Sequence, residues 1–337
     1  MSNVVERVGA PELPEPRGPV SEAIIAALTA DSLEPLAVAT PEDADAFGED
    51  LQLGLYICYE LHYQGFDGVV PAWEWEPELL RLRRGLERRF GSAIRGEVAG
   101  GDDVDSALEA VLFETDDARG VSGYLRDEGE WWQLREFVAH RSIYHLKEAD
   151  PHAWAIPRLC GQAKASLVAV EFDEFGGGRA ERMHSRLFAD LMEGVGLDAR
   201  YGRYLDVVPA VTLATVNMMS LFGLHRALRG ALVGHFAAAE ISTPPNAQRM
   251  AQALERLGAD PRCGVFFTEH VEADAVHEQV LRHDVVGDLV AREPHLAADV
   301  VLGIQATELL EERLGRQLMD HWGAGRSSLR LALPSRA

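Results

Sequence analysis

Apolar residues recur at intervals of three and four along most of the chain, and that spacing predicts a succession of helices. The first begins at Ser21, with Ile24, Ile25 and Leu28 on one face, and Phe47, Leu51, Leu55, Cys58 and Tyr59 predict a second that reaches Tyr63. Residues 65–71 break it, 78–90 form a helix with a solvated Arg-rich face, and 104–125 read as short helical pieces around Gly120 and Gly123. Trp131, Leu134, Phe137, Val138, Ile143 and Leu146 predict a helix over 130–148, closed by Pro151 and Pro157. Another runs over 157–175, stops at Gly176-Gly177-Gly178 and resumes over 179–194. The stretch 207–240 is apolar enough to be buried on all sides, and Pro244-Pro245 is expected to end it. Helices over 246–257, 265–282, 284–293 and 296–322 complete the pattern. No period-two alternation is sustained and no Asn-Gly or Asp-Gly turn joins β-branched runs, so the fold class is all-α.

Composition narrows what such a bundle does. Hydrophobic residues make up 47% and charged ones 26% of 337 residues, as in an ordinary globular chain, and the net charge of -22 disfavours nucleic acid and anionic lipid as partners. No apolar run reaches the roughly 18 residues a membrane span needs. The first 19 residues lack a basic segment followed by an apolar one, so a cytoplasmic location is expected. Pro11, Pro14, Pro16 and Pro19 mark residues 1–20 as a mobile arm. Residues 21–50 then form a helical extension, 51–322 the bundle and 323–337 a frayed tail. Cys58, Cys160 and Cys263 fit no CxxC pattern and are expected as buried thiols.

Candidate chemistry sits in three places. His270, Asp274 and His277 stand at i, i+4 and i+7, and at about 100° per residue they project the same way. Two imidazoles and a carboxylate presented together suit Fe, Mn, Co or Zn, leaning to iron where carboxylates complete the shell. Glu181 and His184 form a Glu-x-x-His pair, which carries little in isolation but is the pair used by di-iron bundles. Glu148 lies at a helix end before Pro151, and Glu174 lies just before the triple glycine. Together Glu148, Glu174, His184, His270, Asp274 and His277, with Glu181 as a further carboxylate, supply the nitrogen and oxygen ligands that two adjacent irons require.

The segment from Leu146 to Pro157, then Glu171 to Gly178 and His184, then His270-x3-Asp274-x2-His277, resembles the heme-oxygenase-like di-iron oxidase superfamily, the iron-containing redox enzymes, over roughly residues 51–322. That resemblance implies a heme-oxygenase-like bundle of about seven core helices, here with extra N-terminal helices. It implies Glu148, the Glu174–His184 pair spaced by ten, and His270, Asp274 and His277 as ligands of two irons per chain, cycling between Fe(II) and Fe(III). Glu181 matches an additional glutamate of N-oxygenating members and is the expected catalytic ligand. The implied activity is activation of O2, as co-substrate, through a peroxo di-iron species. It would oxidise a small amine, amino acid or carboxylic acid by N-oxygenation or C–C cleavage, with an external electron donor and a homodimer as possible partners. Two other classes stay open: a ferritin-like metal-handling protein, which would lack a substrate pocket, and a cofactorless, thiaminase-like bundle.

Other ionisable residues are secondary. Glu60 and His62 point about 200° apart on a helix, so only one can face a cavity. His225 and His235 are expected as satisfied core residues, and Glu171 as a residue that fixes ligand geometry. No GxGxxG, P-loop, GxSxG or HExxH motif occurs.

Overall fold

A computed structural model describes residues 9–30, 44–115 and 120–334, with the side chains of 113–115 and 272–275 outside the described residues. Everything regular among them is helical. In chain order the helices are α1 (Pro19–Leu28), α2 (Glu49–Glu60), α3 (Pro77–Glu97), α4 (Val104–Thr115), α5 (Val121–Asp127) and α6 (Trp131–His145), then α7 (Asp150–Ala153), α8 (Gly161–Glu174) and α9 (His184–Gly194). They continue through α10 (Ala210–Leu224), α11 (Arg229–Arg256), α12 (Val265–Gln279), α13 (Asp288–Arg292) and α14 (Ala297–Gly323), with a π-helical stretch Val280–Gly287 joining α12 to α13. The all-α expectation holds.

Local chemistry sets several of these boundaries. A capping box starts α6: the Glu130 side chain accepts from the backbone of Gln133, whose own side chain accepts from Glu130 N at 2.7 Å. At the end of α8, Gly176, Gly177 and Gly178 all have positive φ (72°, 61° and 80°), which a side chain at Cβ would oppose. The reversal they allow returns the chain so that α9 starts beside the end of α8. In α10 every residue from Thr212 to Gly223 is buried, which makes it the central helix of the core.

The apolar stretch expected as one buried helix over 207–240 is two helices. It breaks at His225, whose backbone is extended, and resumes at Arg229. Contrary to expectation, Pro244-Pro245 does not end the second of these, and α11 continues to Arg256. The prolines sit half-buried, while Ala247, Met250, Ala253 and Leu254 return an apolar face to the core. That burial outweighs the two backbone hydrogen bonds the prolines forgo.

Both ends of the chain are tied down where described. In the expected arm Pro11 and Pro14 are buried, Pro11 O accepts from Asp67 N at 2.8 Å and Arg17 pairs with Glu49 at 2.7 Å. In the expected tail Ser328 is 1% exposed, and Glu136 Oε2 accepts from Ser328 N (2.9 Å), Ser328 Oγ (2.8 Å) and Trp322 Nε1 (3.0 Å). Ser328 Oγ also lies 3.0 Å from His140 Nε2. Deleting residues from Arg326 onward leaves a buried carboxylate without most of its donors. Such a chain is expected to lose about 2–3 kcal/mol of stability in denaturant titration; an unchanged midpoint would contradict the role assigned to Ser328. Cys58 and Cys263 are buried as expected, but Cys160, just ahead of α8, is exposed.

Candidate metal centre

Six buried side chains meet in two neighbouring triads. Glu148, His184 and His270 offer ligand atoms within 4.8 Å of one another, and so do Glu174, Glu240 and His277. The join between them is His184, whose Nδ1 lies 2.9 Å from Glu174 Oε2. The triple-glycine turn explains that contact, because it sets the last residue of α8 against the first of α9. Helix α12 serves both triads, with His270 and His277 two turns apart on one face. Glu148 stands past the end of α6, and Glu240 projects from the middle of α11.

Hydrogen bonds orient the imidazoles. His270 Nδ1 lies 2.7 Å from the Phe266 carbonyl, which can only accept, so Nδ1 carries the hydrogen and Nε2 is left as the ligand atom. His270 Nε2 is 3.8 Å from Glu148 Oε1. His277 Nε2 faces Asp173 Oδ2 at 3.2 Å, while its Nδ1 faces Glu240 Oε2 at 3.2 Å and Glu174 Oε1 at 3.7 Å. A carboxylate behind an imidazole is the arrangement that fixes the tautomer of a metal-binding histidine.

Whether iron suits these residues is decided by their donor atoms. Glu148 Oε2 and Glu174 Oε1 are fully buried and have no hydrogen-bond partner, although burying such groups without one is costly, and His184 Nδ1 meets Glu174 Oε2 without hydrogen-bond geometry. Three carboxylates and three imidazoles around two adjacent centres form the mixed oxygen and nitrogen set that iron takes in helical bundles. The residues fit the metal.

The surrounding electrostatics agree. Burial pushes the Glu148 carboxyl up, but the imidazoles of His145, 2.9 Å away, and His270 outweigh it and hold Glu148 well below the usual carboxylate range. Glu148 is therefore an anion at neutral pH. Glu171, one turn before Glu174, is 2% exposed with neither oxygen hydrogen-bonded. Burial, then Glu174 and Asp150, push its carboxyl up to about 9, so it holds a proton at neutral pH. Burial and then Glu148, Glu174, Glu171 and Glu240 raise the Tyr144 phenol well above its usual range, so it too stays protonated among these carboxylates.

Glu171 thus predicts a pH dependence. Its folded pKa of about 9 exceeds the ordinary 4.5, so the native state binds the extra proton and stability falls as pH rises between those values. With iron removed, Glu171→Gln is expected to match the wild type near pH 4 and to be the more stable of the two at pH 8. Denaturant titrations at both pH values check this, and parallel curves for the two proteins would refute it.

The structure brings Glu148, Glu174, His184, His270 and His277 together. It does not bring Glu181, which is exposed on the 3-10 turn Ala180–Arg182 and lies outside both triads. The i, i+3 argument fails because Met183 is extended, so Glu181 and His184 share no helix. The side chain of Asp274 lies outside the described residues. Glu240, which sequence reasoning passed over, stands in the second triad. It is the single acid of the largely apolar first half of α11, and that isolation was the available signal.

A cavity of about 630 Å³ adjoins the triads, with Tyr144, His145, Glu148, Glu240, Phe266 and His270 in its lining. Neither Glu60 nor His62 lines it. Glu60 is buried against Lys147 Nζ (2.9 Å) and the Tyr201 hydroxyl (2.8 Å), and His62 pairs with Glu74 (3.1 Å). His225 sits at the α10–α11 break, 3.0 Å from Glu87, whereas His235 is a core residue bound to Thr307 Oγ1 at 2.8 Å.

Comparison with known proteins shows what the chain is similar to. A family described as "Iron-containing redox enzyme" matches residues 135–312, just over half of the chain and the part that carries every residue of the two triads. A nitrosourea synthase from Streptomyces achromogenes subsp. streptozoticus is 26% identical over 240 residues, covering 69% of this chain and 51% of that protein. The chain thus spans about half the length of that relative.

Proposed function

Because this chain belongs to the family of iron-containing redox enzymes, we propose that it is an O2-dependent di-iron oxidase or oxygenase, with one iron in each triad. The observation that carries this reading is the pair of adjoining buried triads joined through His184 and Glu174. Iron bound there would supply the electrons and the open coordination positions that O2 activation needs.

The chain's own residues divide the remaining work. Glu148, Glu174 and Glu240 supply negative charge to the metal, and the Phe266 carbonyl and Asp173 hold His270 and His277 in fixed tautomers. Glu171 and Tyr144 hold protons on their carboxyl and phenol oxygens beside the carboxylates and can release them as oxygen is reduced. Phe188, tilted, and Phe266, edge-on, pack against His145 and exclude water from that wall of the cavity. The cavity beside the triads favours an enzyme over a metal-storing protein, which needs no such space. A small organic substrate occupies it, and an external reductase returns electrons where the substrate does not provide them. The likeness to a nitrosourea synthase favours oxidation at nitrogen over C–C cleavage.

The test is anaerobic Fe(II) loading with metal analysis, followed by rapid mixing with O2. One iron per triad and a transient visible absorbance support the proposal. Specific uptake of iron with no reaction towards O2 would sink it.

A further inference from the structure

Glu148 lies past the end of α6, in the turn over 146–149 that leads to α7, so no helix fixes the main chain of this ligand. Its neighbour Lys147 enters a separate buried cluster. Lys147 Nζ lies 2.9 Å from Glu60 Oε2, with the two side chains 1% and 0% exposed. The Tyr201 hydroxyl donates to both Glu60 oxygens, at 2.8 and 2.9 Å. Two rings enclose Lys147 Nζ, that of Tyr63 at 4.4 Å to its centroid and that of Tyr56 at 4.8 Å. None of these residues lines the cavity, and Glu60 belongs to neither triad.

Stability does not account for so deep an ion pair. Withdrawing a lysine and a glutamate from water costs about as much as their attraction returns, and apolar side chains of similar volume often leave a protein equally stable or more so. What the pair supplies is position. A hydrophobic contact has no direction, whereas Lys147 Nζ has to meet one carboxylate between two ring faces. The main chain of Lys147 is tied as well: its N donates to Tyr144 O at 2.8 Å, and its O accepts from Asp150 N at 2.9 Å. Glu148 thus begins one planar peptide unit from a residue held at its side chain, its N–H and its carbonyl.

We propose that the Lys147–Glu60–Tyr201 cluster positions Glu148 and thereby sets the metal affinity of the first triad. The second triad draws its ligands from α8, α11 and α12 and has no residue in this turn. The cluster therefore acts on one metal site of the two.

This inference rests on the reading that both triads hold metal, and it is tested on the iron-free protein with Co(II), followed by visible absorbance. The double variant K147M/E60Q removes both charges at nearly constant volume and leaves neither alone in the interior. It is expected to bind Co(II) at one of its two sites roughly ten- to a hundredfold more weakly, the loss that follows removal of a partner orienting a metal ligand. The other site should be unchanged. Both sites belong to one bundle, so a loss confined to one of them is not an effect of stability. Glu148→Ala locates it: in that background K147M/E60Q should weaken Co(II) binding no further, because the ligand it positions is gone. Tyr201→Phe keeps the ring and takes only a donor from Glu60, and should weaken the same site by a smaller factor. Lys147→Arg, which keeps a cation opposite Glu60, should fall between the wild type and the double variant.

Unchanged affinities in K147M/E60Q, an equal loss at both sites, or a loss that persists in the Glu148→Ala background would overturn the positioning role. The two readings fail separately. Two sites of wild-type affinity in the double variant would remove the positioning role and leave the oxidase, whereas a selective loss in the variant together with an iron-loaded wild type inert towards O2 would do the reverse. A wild type that binds no metal would remove both.

Discussion

Glu240→Ala is expected to lose the iron of the second triad and, with it, nearly all turnover. Glu240 is 6% exposed, and its Oε2 lies 3.2 Å from His277 Nδ1. Without it, Glu174 and His277 remain as the described donors of that triad. The activity lost should exceed the roughly 10–100-fold that removal of an outer partner of a metal ligand costs. Stability should move in opposite directions with and without metal. In the iron-free protein Glu148, Glu174 and Glu240 are crowded together in the interior, and removing one relieves repulsion and desolvation. The iron-free variant should therefore melt above the iron-free wild type, and the iron-loaded variant below the iron-loaded wild type. Metal analysis and paired melting curves decide the matter. A full complement of iron in the variant would remove Glu240 from the ligand set.

The largest loss of stability is expected from Gly303→Ala, a change of one methyl group. A Cβ at Gly303 would stand 2.0 Å from Ala231 O, and one at Gly234 would stand 2.1 Å from Val300 O. The two contacts are reciprocal, so α11 and α14 touch backbone to backbone at this crossing, and no flexible side-chain end is available to give way. Overpacking there should cost about 3 kcal/mol. In a protein of 337 residues that lowers the Tm by roughly 4 °C. Gly96→Ala is the control: Gly96 sits in α3, where an added methyl would meet nothing within 4 Å, and the change should be neutral or slightly stabilising. Equal melting points for the two variants would refute the close crossing. Activity should fall with G303A as well, because α11 carries Glu240 of the second triad.

How far the sequence reveals this centre depends on the kind of signal involved. His270 and His277 are legible because a helix repeats its face, and the structure keeps them on one unbroken helix. Glu174 and His184 are named by the family resemblance, and the turn through Gly176, Gly177 and Gly178 is what sets them side by side. Glu181 shows the weakness of the same reasoning: one extended residue, Met183, voids an i, i+3 relation that composition alone could not question. Glu240 is obscured by its surroundings, since an apolar helix reads as core and hides the cost of burying one acid within it. The prolines at 244 and 245, the docked N-terminal residues and the pinned Ser328 share a cause. In each, packing against distant parts of the chain overrides a local preference, and local preference is all that a single sequence displays.

The two prolines in α11 bear on stiffness. Pro244 and Pro245 have no N–H to give to the carbonyls of Glu240 and Ile241 one turn earlier, so the turn that bears Glu240 lacks the bonds that make a helix a rod. On one side α11 is clamped where Gly234 meets Val300, and on the other Ala247 and Met250 hold it to the core. Compliance is therefore confined to the few residues that carry this carboxylate. A small displacement of Glu240 is thereby opposed less than one of either half of α11, which the core holds.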